Sequence, residues 1–311
     1  MGCIMVSIIQ PNIDCSSAQE FLDALSPLGR FFKDVKLTEP WLFRGQGIDL
    51  PLIPTAFRND QKFASLTHRD VNDNEQRLLA ERDMLIQFFE IADKRGLLLP
   101  DDSQQLRSLL ETLRSESGDH LVGIGSERWE TVSLTLSLTA LAQHYGVPTR
   151  LLDWTRQPFI ATFFAAADAW KHASTNPPST RLVVWAFYFP LLGRHDAVAR
   201  LTDPIRIVTA PSATNPNLKA QQGVFTLLHP QYSKEAEGHY TPMEQMLEER
   251  AKNATDPSRF PVDRLVTECK LRKFSLPTSE ALELLYLLAK WDITPSSVYP
   301  GYQSIVSDLQ M

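Results

Sequence analysis

Gln143-His144-Tyr145-Gly146-Val147-Pro148-Thr149-Arg150-Leu151-Leu152-Asp153-Trp154-Thr155 crowds polar side chains between two apolar runs. Leu134 to Ala142, just before it, reads as a buried helix. Gly146 can end that helix in a left-handed conformation, and Pro148 disfavours helix at the residue before it. Arg150 to Trp154 is short, mostly apolar and bounded by breakers, which predicts a strand. Thr155 then takes the place of an N-cap. Pro158 would fall in the first turn, with Ile160, Phe163, Phe164 and Ala167 on one helical face. Helix, turn, strand and helix follow in quick succession, and His, Arg, Asp, Trp and Thr sit at their junctions, where rigid elements hold the loops that carry sites.

Outward from this stretch, Trp41-Leu42-Phe43 predicts a strand that runs directly into Arg44-Gly45-Gln46-Gly47. The glycines leave room for a backbone or a ligand to approach. A guanidinium at the end of a buried strand matches a phosphate or carboxylate, and its bland alternative is an ion pair, for example with Asp153. Arg58, after Leu52-Ile53-Pro54, is a second basic candidate. Asn74 to Ala92 is the clearest helix, with Leu78, Leu79, Met84, Leu85, Phe88, Phe89 and Ala92 at helical spacing. Glu75, Glu81 and Arg82 are expected mainly on its solvated side.

Leu106, Leu109, Leu110 and Leu113 suggest a short surface helix or lid, and Gly123-Ile124-Gly125 is too sparse for a phosphate loop. Leu182 to Phe189 and Ile205 to Val208 read as strands. Ala220 to Leu228 reads as another, with Gln221 and Gln222 at its mouth. Gln231 to Pro257 is polar and suggests an insertion or lid. Leu265 to Phe274 predicts a strand and Ala281 to Trp291 a helix. At the N-terminus Ile4 to Ile9 predicts a short strand, and Ser16 or Ser17 caps a helix with Glu20 as its partner.

The chain has 311 residues, 43% of them hydrophobic and 22% charged, enough for a sizeable core. Strands fall on both sides of the central helices. The expected fold is α+β, one mixed β-sheet core decorated with helices. A net charge of -6 argues against a dominant nucleic-acid contact. Cys3, Cys15 and Cys269 form no metal or redox motif, which implies free thiols in a reducing compartment. No apolar run reaches membrane-span length. The N-terminus lacks a signal-peptide pattern, and Val6 stands where a myristoylation signal takes Ser or Thr. A soluble cytoplasmic protein is expected.

The seven histidines form neither HExxH nor His-x-His, so no metal site is predicted. No GxSxG is present, and His144 with Asp153 has no visible nucleophile to serve. Nucleotide binding fits the residues better. Arg44 can hold a diphosphate. His144, Tyr145 and Trp154 can stack on or bond to a base, Thr155 adds a hydroxyl at a helix start, and Gln221 and Gln222 can bond a ribose or an amide.

Phe43-Arg44-Gly45-Gln46, Leu52-Ile53-Pro54 with Arg58, the Gln143–Thr155 block, Pro158 with Ala161 and Phe164-Ala165, and Gln221-x-Gly223-x-Phe225 together resemble the FRG domain, a family named for its Phe-Arg-Gly triplet. The resemblance covers about residues 36–230. It implies one FRG-type domain over residues 1–311, with an N-terminal helical lead-in and a C-terminal strand and helix extension. Arg44-Gly45, then Asp153-Trp154-Thr155 with its following helix, then Gln221-Gln222 are also distantly similar in order to ADP-ribosyltransferases of the Arg-Ser-Glu type. That resemblance implies an ADP-ribosyltransferase-like fold that binds NAD as substrate and either transfers ADP-ribose to an unidentified macromolecular acceptor or cleaves the glycosidic bond. Asp153, Gln221 and His144 would be catalytic. Arg44, Gly45, Gln46, Arg58, Tyr145, Arg150, Trp154, Thr155 and Gln222 would bind the nucleotide. A neutral Gln stands where that class carries a Glu, which weakens electrostatic stabilisation. The rival reading is therefore a non-catalytic nucleotide-sensing or protein-interaction module in a bacterial phage-defence or toxin system.

Overall fold

A computed structural model describes residues 8–32, 41–58, 66, 74–115, 133–175, 177, 179–189, 205–210, 216–228, 240–253 and 269–309. Its strands are β1 (Ile13–Asp14), β2 (Trp41–Gln46), β3 (Leu151–Thr155), β4 (Arg181–Tyr188), β5 (Ile205–Val208), β6 (Gly223–Leu228) and β7 (Lys270–Pro277). They form one seven-stranded sheet in the order β1-β7-β4-β2-β3-β6-β5. The β1–β7 pair is parallel and the other pairs are antiparallel, so the sheet is mixed. The class is α+β, as the sequence implies.

Strand β4 is apolar from Leu182 to Phe187 because both its faces are covered. On β4, Leu182, Val184 and Ala186 join one core while Val183, Trp185 and Phe187 join another, the period-2 alternation of a strand. The first core is closed by α1 (Ala18–Leu25), α5 (Pro158–Lys171) and α8 (Ala281–Ala289). The second is closed by α7 (Met243–Asn253), which buries Met243, Met246, Leu247 and Ala251. The polar stretch expected to be a lid thus contributes a core helix, and α7 is tied down where Glu244 Oε2 accepts from Leu52 N at 3.1 Å.

A separate helical layer is formed by α2 (Asn74–Lys94), α3 (Gln104–Ser115) and α4 (Ser133–His144). Gly96, at φ +67°, ends α2's run. Glu81 and Arg82, expected on the solvated side of α2, are instead buried. Glu81 accepts from Arg150 N at 2.9 Å and from Arg150 Nε at 2.8 Å, which joins α2 to the start of β3. A buried carboxylate needs such a partner, and that partner lies far along the chain.

The expected Ser17 cap is present. Its Oγ accepts from Glu20 N at 3.3 Å, while Glu20 accepts from Ser16 N at 2.8 Å. The expected strand Ile4–Ile9 lies largely outside the described residues, as do Gly123-Ile124-Gly125 and Cys3; Ile9 bridges Leu271. Cys15 and Cys269 are buried free thiols, and burial pushes Cys15 up to about 11. The chain finishes with α9 (Pro295–Val298) and α10 (Tyr302–Asp308). Among the described residues, no helix is long and apolar enough to cross a membrane.

Candidate functional site: a cleft where the sheet opens

The sheet comes apart between β2 and β3. The β2–β4 ladder runs from Trp41 to Gln46 and the β3–β6 ladder from Leu151 to Thr155. Between β2 and β3, however, Phe43–Thr155 is the one register pair recorded. Past that joint the Asp153 carbonyl takes a side chain as its donor: Arg44 Nη1 bonds Asp153 O at 2.9 Å. The same Nη1 lies 3.5 Å from Asp153 Oδ2. The Arg44 side chain is 12% exposed and the Asp153 side chain 57% exposed, so the cation is recessed and the carboxylate reaches solvent. Arg44 Nε is buried with no hydrogen-bond partner among the described residues. Burial pushes the Arg44 pKa below its ordinary value, against the pull of Asp153 and with a smaller push from Arg58. A guanidinium starts so high that it stays charged at neutral pH.

Asp153 is held from its other side. Gln143 Nε2, from the last turn of α4, donates to Asp153 Oδ1 at 2.6 Å. Thr149 Oγ1 donates to Gln143 Oε1, which fixes which end of the amide faces the carboxylate. Gln143 opens the motif stretch but was not marked as a site residue. Its role depends on the turn at Gly146, φ +91°, bringing α4 back beside β3.

The cleft encloses about 320 Å³. Phe43, Arg44 and Gly45 come from β2, and Asp153, Trp154 and Thr155 from β3. Gln143 and His144 come from α4, and Phe164 from α5. Leu218 comes from α6 (Pro216–Ala220), Gln221 from the turn that follows it, and Gly223 and Phe225 from β6. Tyr299 comes from the residue after α9. Its lining therefore mixes apolar and aromatic side chains with one recessed cation and one solvent-reaching carboxylate. His144 Nε2 lies 3.1 Å from Asn217 Nδ2. With the amide donating, Nε2 accepts and the ring proton sits on Nδ1. Burial lowers the His144 pKa and Asp153 opposes this, so the ring is neutral at pH 7.

The residues marked in the sequence divide. Arg44, Gly45, His144, Asp153, Trp154, Thr155 and Gln221 line the cleft. Trp154, however, is buried in the second core with its Nε1 donating to Thr226 Oγ1 at 2.9 Å, so its indole is not a free stacking surface. Thr155 is the last residue of β3 and not the N-cap of α5; that place is taken by Gln157. Its hydroxyl accepts from Gln157 N at 3.0 Å and donates to the Gln221 carbonyl at 2.6 Å. A short apolar strand with two residues between it and Pro158 allows either cap position.

The remainder stand outside the cleft lining. Gln46 is buried and accepts from Trp185 Nε1 at 3.1 Å. Arg58 Nε donates to the Ile53 carbonyl at 2.9 Å. Arg150 is committed to Glu81. Tyr145 is 70% exposed and packs its ring against His144. Gln221 and Gln222 lie in the turn between α6 and β6, and not within the strand as expected; Gln222 has φ +47°. Gln222 Oε1 accepts from Gln157 Nε2 at 3.3 Å.

Gly45 proves to be a packing residue as well: a Cβ there would run into the Ala161 carbonyl of α5. The backbone it makes room for is that helix. Phe43, Gln143, Phe164, Leu218, Gly223, Phe225 and Tyr299 complete the lining, and the sequence assigns none of them a site role. The apolar ones look like any core residue in sequence, and Tyr299 lies far from the motif. Among the described residues, no group of three or more His, Cys, Asp or Glu is placed to hold a metal ion.

Residues 39–174 match the family model of the FRG domain. That span runs from β2 to α5 and contains both Arg44 and Asp153, while Gln221 and Tyr299 lie beyond it. No curated protein and no solved structure matches the chain.

Proposed function

This chain carries an FRG domain, and from that premise we propose that the cleft binds NAD and breaks its nicotinamide–ribose bond, passing ADP-ribose to an acceptor or to water. One observation carries the reading: the opened β2–β3 joint sets a recessed guanidinium and an oriented carboxylate in the lining of one cleft. Arg44 would take the diphosphate, exchanging its loose 3.5 Å contact with Asp153 for a charge-assisted bond. At about 320 Å³ the cleft lies at the small end of ligand pockets, roughly 300–1,000 Å³. It takes one nucleotide half and leaves the other outside.

As the C1′–N bond breaks, its electron pair leaves with neutral nicotinamide and positive charge develops on the ribose. Asp153 would face that charge. Its carboxylate is fixed in advance by Gln143 and Thr149, which is what electrostatic stabilisation requires. Neutral His144 would bond a ribose hydroxyl or the carboxamide. The acceptor oxygen or nitrogen then attacks C1′ and loses its proton to solvent.

A second reading, a nucleotide sensor without turnover in a phage-defence or toxin system, draws support from Gln221. Its Nε2 donates to the Val298 carbonyl at 3.2 Å, so the neutral residue at this place is already engaged within the protein. Purified protein is incubated with NAD labelled on the adenylate, with and without cell lysate, and nicotinamide and labelled macromolecules are followed. Nicotinamide release that disappears in Arg44→Ala supports the enzyme. NAD binding by calorimetry with no release supports the sensor. Absence of both ends the nucleotide reading.

A further inference from the structure

The segment after α8 supplies a wall of the cleft. Thr294 and Ser297 form a reciprocal capping box at the start of α9. Asp308, from α10, accepts from Ser296 N at 2.9 Å and from Thr294 Oγ1 at 3.2 Å. Val298 is 1% exposed in the first core, and its carbonyl takes the Gln221 amide. These tethers fix the backbone at Tyr299, whose ring faces the cleft and remains 40% exposed. Phe164 packs against it at 69° with centroids 5.9 Å apart, an edge-type contact. A half-exposed Tyr is most often surface filler. Here the backbone before the ring is tethered, Phe164 packs on the ring, and the residue borders the space that Arg44 and Asp153 also border.

We infer that Tyr299 is the platform for the ring of the bound nucleotide, and that the ring it selects is a positively charged N-substituted pyridinium. This rests on the nucleotide reading above. The charge argument is local. A phenol face is electron-rich and attracts a cation, and Asp153 adds a negative charge on the same cleft. The field of Asp153 reaches the phenol: burial and then Asp153 raise the Tyr299 pKa. A cation placed there is stabilised by both, whereas a neutral adenine or dihydropyridine gains only stacking. Arg44, opposite in sign, is left for the phosphate. Because Tyr299 lies beyond residues 39–174, the FRG match does not assign this role.

The test compares two ligands of nearly the same shape and different ring charge, with a nucleotide of a neutral purine as a third. Oxidised nicotinamide mononucleotide, its reduced form, and adenosine monophosphate are titrated into the full chain by calorimetry. The oxidised form binds about tenfold more tightly than either of the others, the scale of a partly desolvated cation–π contact. Tyr299→Phe retains most of this preference. Tyr299→Leu brings the three ligands within about threefold of one another, with the melting temperature unchanged because the tethers of α9 do not involve the phenol.

Equal affinity for the oxidised and reduced forms in the native chain, with NAD still bound, overturns the platform and leaves the nucleotide reading standing. A preference that survives Tyr299→Leu does the same. If neither NAD nor any mononucleotide binds, the nucleotide reading fails and the platform with it.

Discussion

Strand β3 is flanked by two arginine–carboxylate pairs that differ in almost every respect except their chemistry. Behind it, Glu81 is 0% exposed and Arg150 7% exposed, and two bonds of 2.8 and 2.9 Å join them. At its open edge, Arg44 and Asp153 are 3.5 Å apart and the carboxylate is mostly in water. A buried pair with good geometry cannot separate without stranding a charge in the core. A loose, half-solvated pair holds little energy of its own and can exchange partners. The rear pair is thus a fastener, and the front pair has the freedom that a candidate site needs. The predictions below test whether that division is right.

The largest effect should come from the rear. Glu81→Ala leaves Arg150 buried without this partner and should cost about 3–5 kcal/mol of stability, read by urea unfolding. A loss under ~1 kcal/mol would mean that the rear pair is no more structural than the front one. Arg44→Ala should do the reverse. Stability falls by about 1–2 kcal/mol, the scale of one lost hydrogen bond from a charged donor, while under the nucleotide reading NAD binding by calorimetry is lost. If the variant unfolds and the ligand affinity of any remaining fold is unchanged, the two arginines share one role.

Sequence revealed the two pairs unequally. β2, β3, α4 and α5 are legible because each is a local pattern: an apolar run, a breaker, a helical period. Arg44 was legible because it follows three large apolar residues and precedes a glycine. Its contact with Asp153 was guessable as an ion pair. Glu81 was not legible as a core residue, because its partner Arg150 is 69 positions away and nothing within α2 marks the carboxylate. Tyr299 is separated from Asp153 by even more chain, and its neighbours predict only a capped turn. Arg150 and Arg44 stand in equally suggestive motifs, and only the tertiary fold shows that one faces α2 and the other faces the cleft.

Within the front pair, chemistry and binding should separate. Asp153→Asn keeps the size and one acceptor oxygen but removes the charge. Under the NAD-cleaving reading it should lower nicotinamide release by about 10²–10³ while NAD affinity changes by less than about fivefold. Gln143→Leu removes the donor that orients Asp153 and should lower release by about tenfold, with binding again nearly intact. Two silent variants in a chain that binds NAD would favour the sensor. A fall in affinity equal to the fall in rate would show that Asp153 serves binding alone.

The smallest effect is a pH slope, and it belongs to the front of the strand. His144 is about half buried, and burial lowers its pKa from the ordinary value of 6.5. The folded chain therefore binds fewer protons at this ring than the unfolded chain between the lowered value and 6.5. Stability rises with pH across that window. The contribution of the neutral ring is fully present above 6.5 and is lost as pH falls through the folded value. His144→Gln cannot titrate and can still offer an oxygen to Asn217, so it should flatten this part of the profile and leave stability near pH 7.5 little changed. Denaturant midpoints of both chains between pH 5 and 8 measure the difference. A slope that persists in His144→Gln would assign it to another group and leave the front of β3 without a titrating histidine.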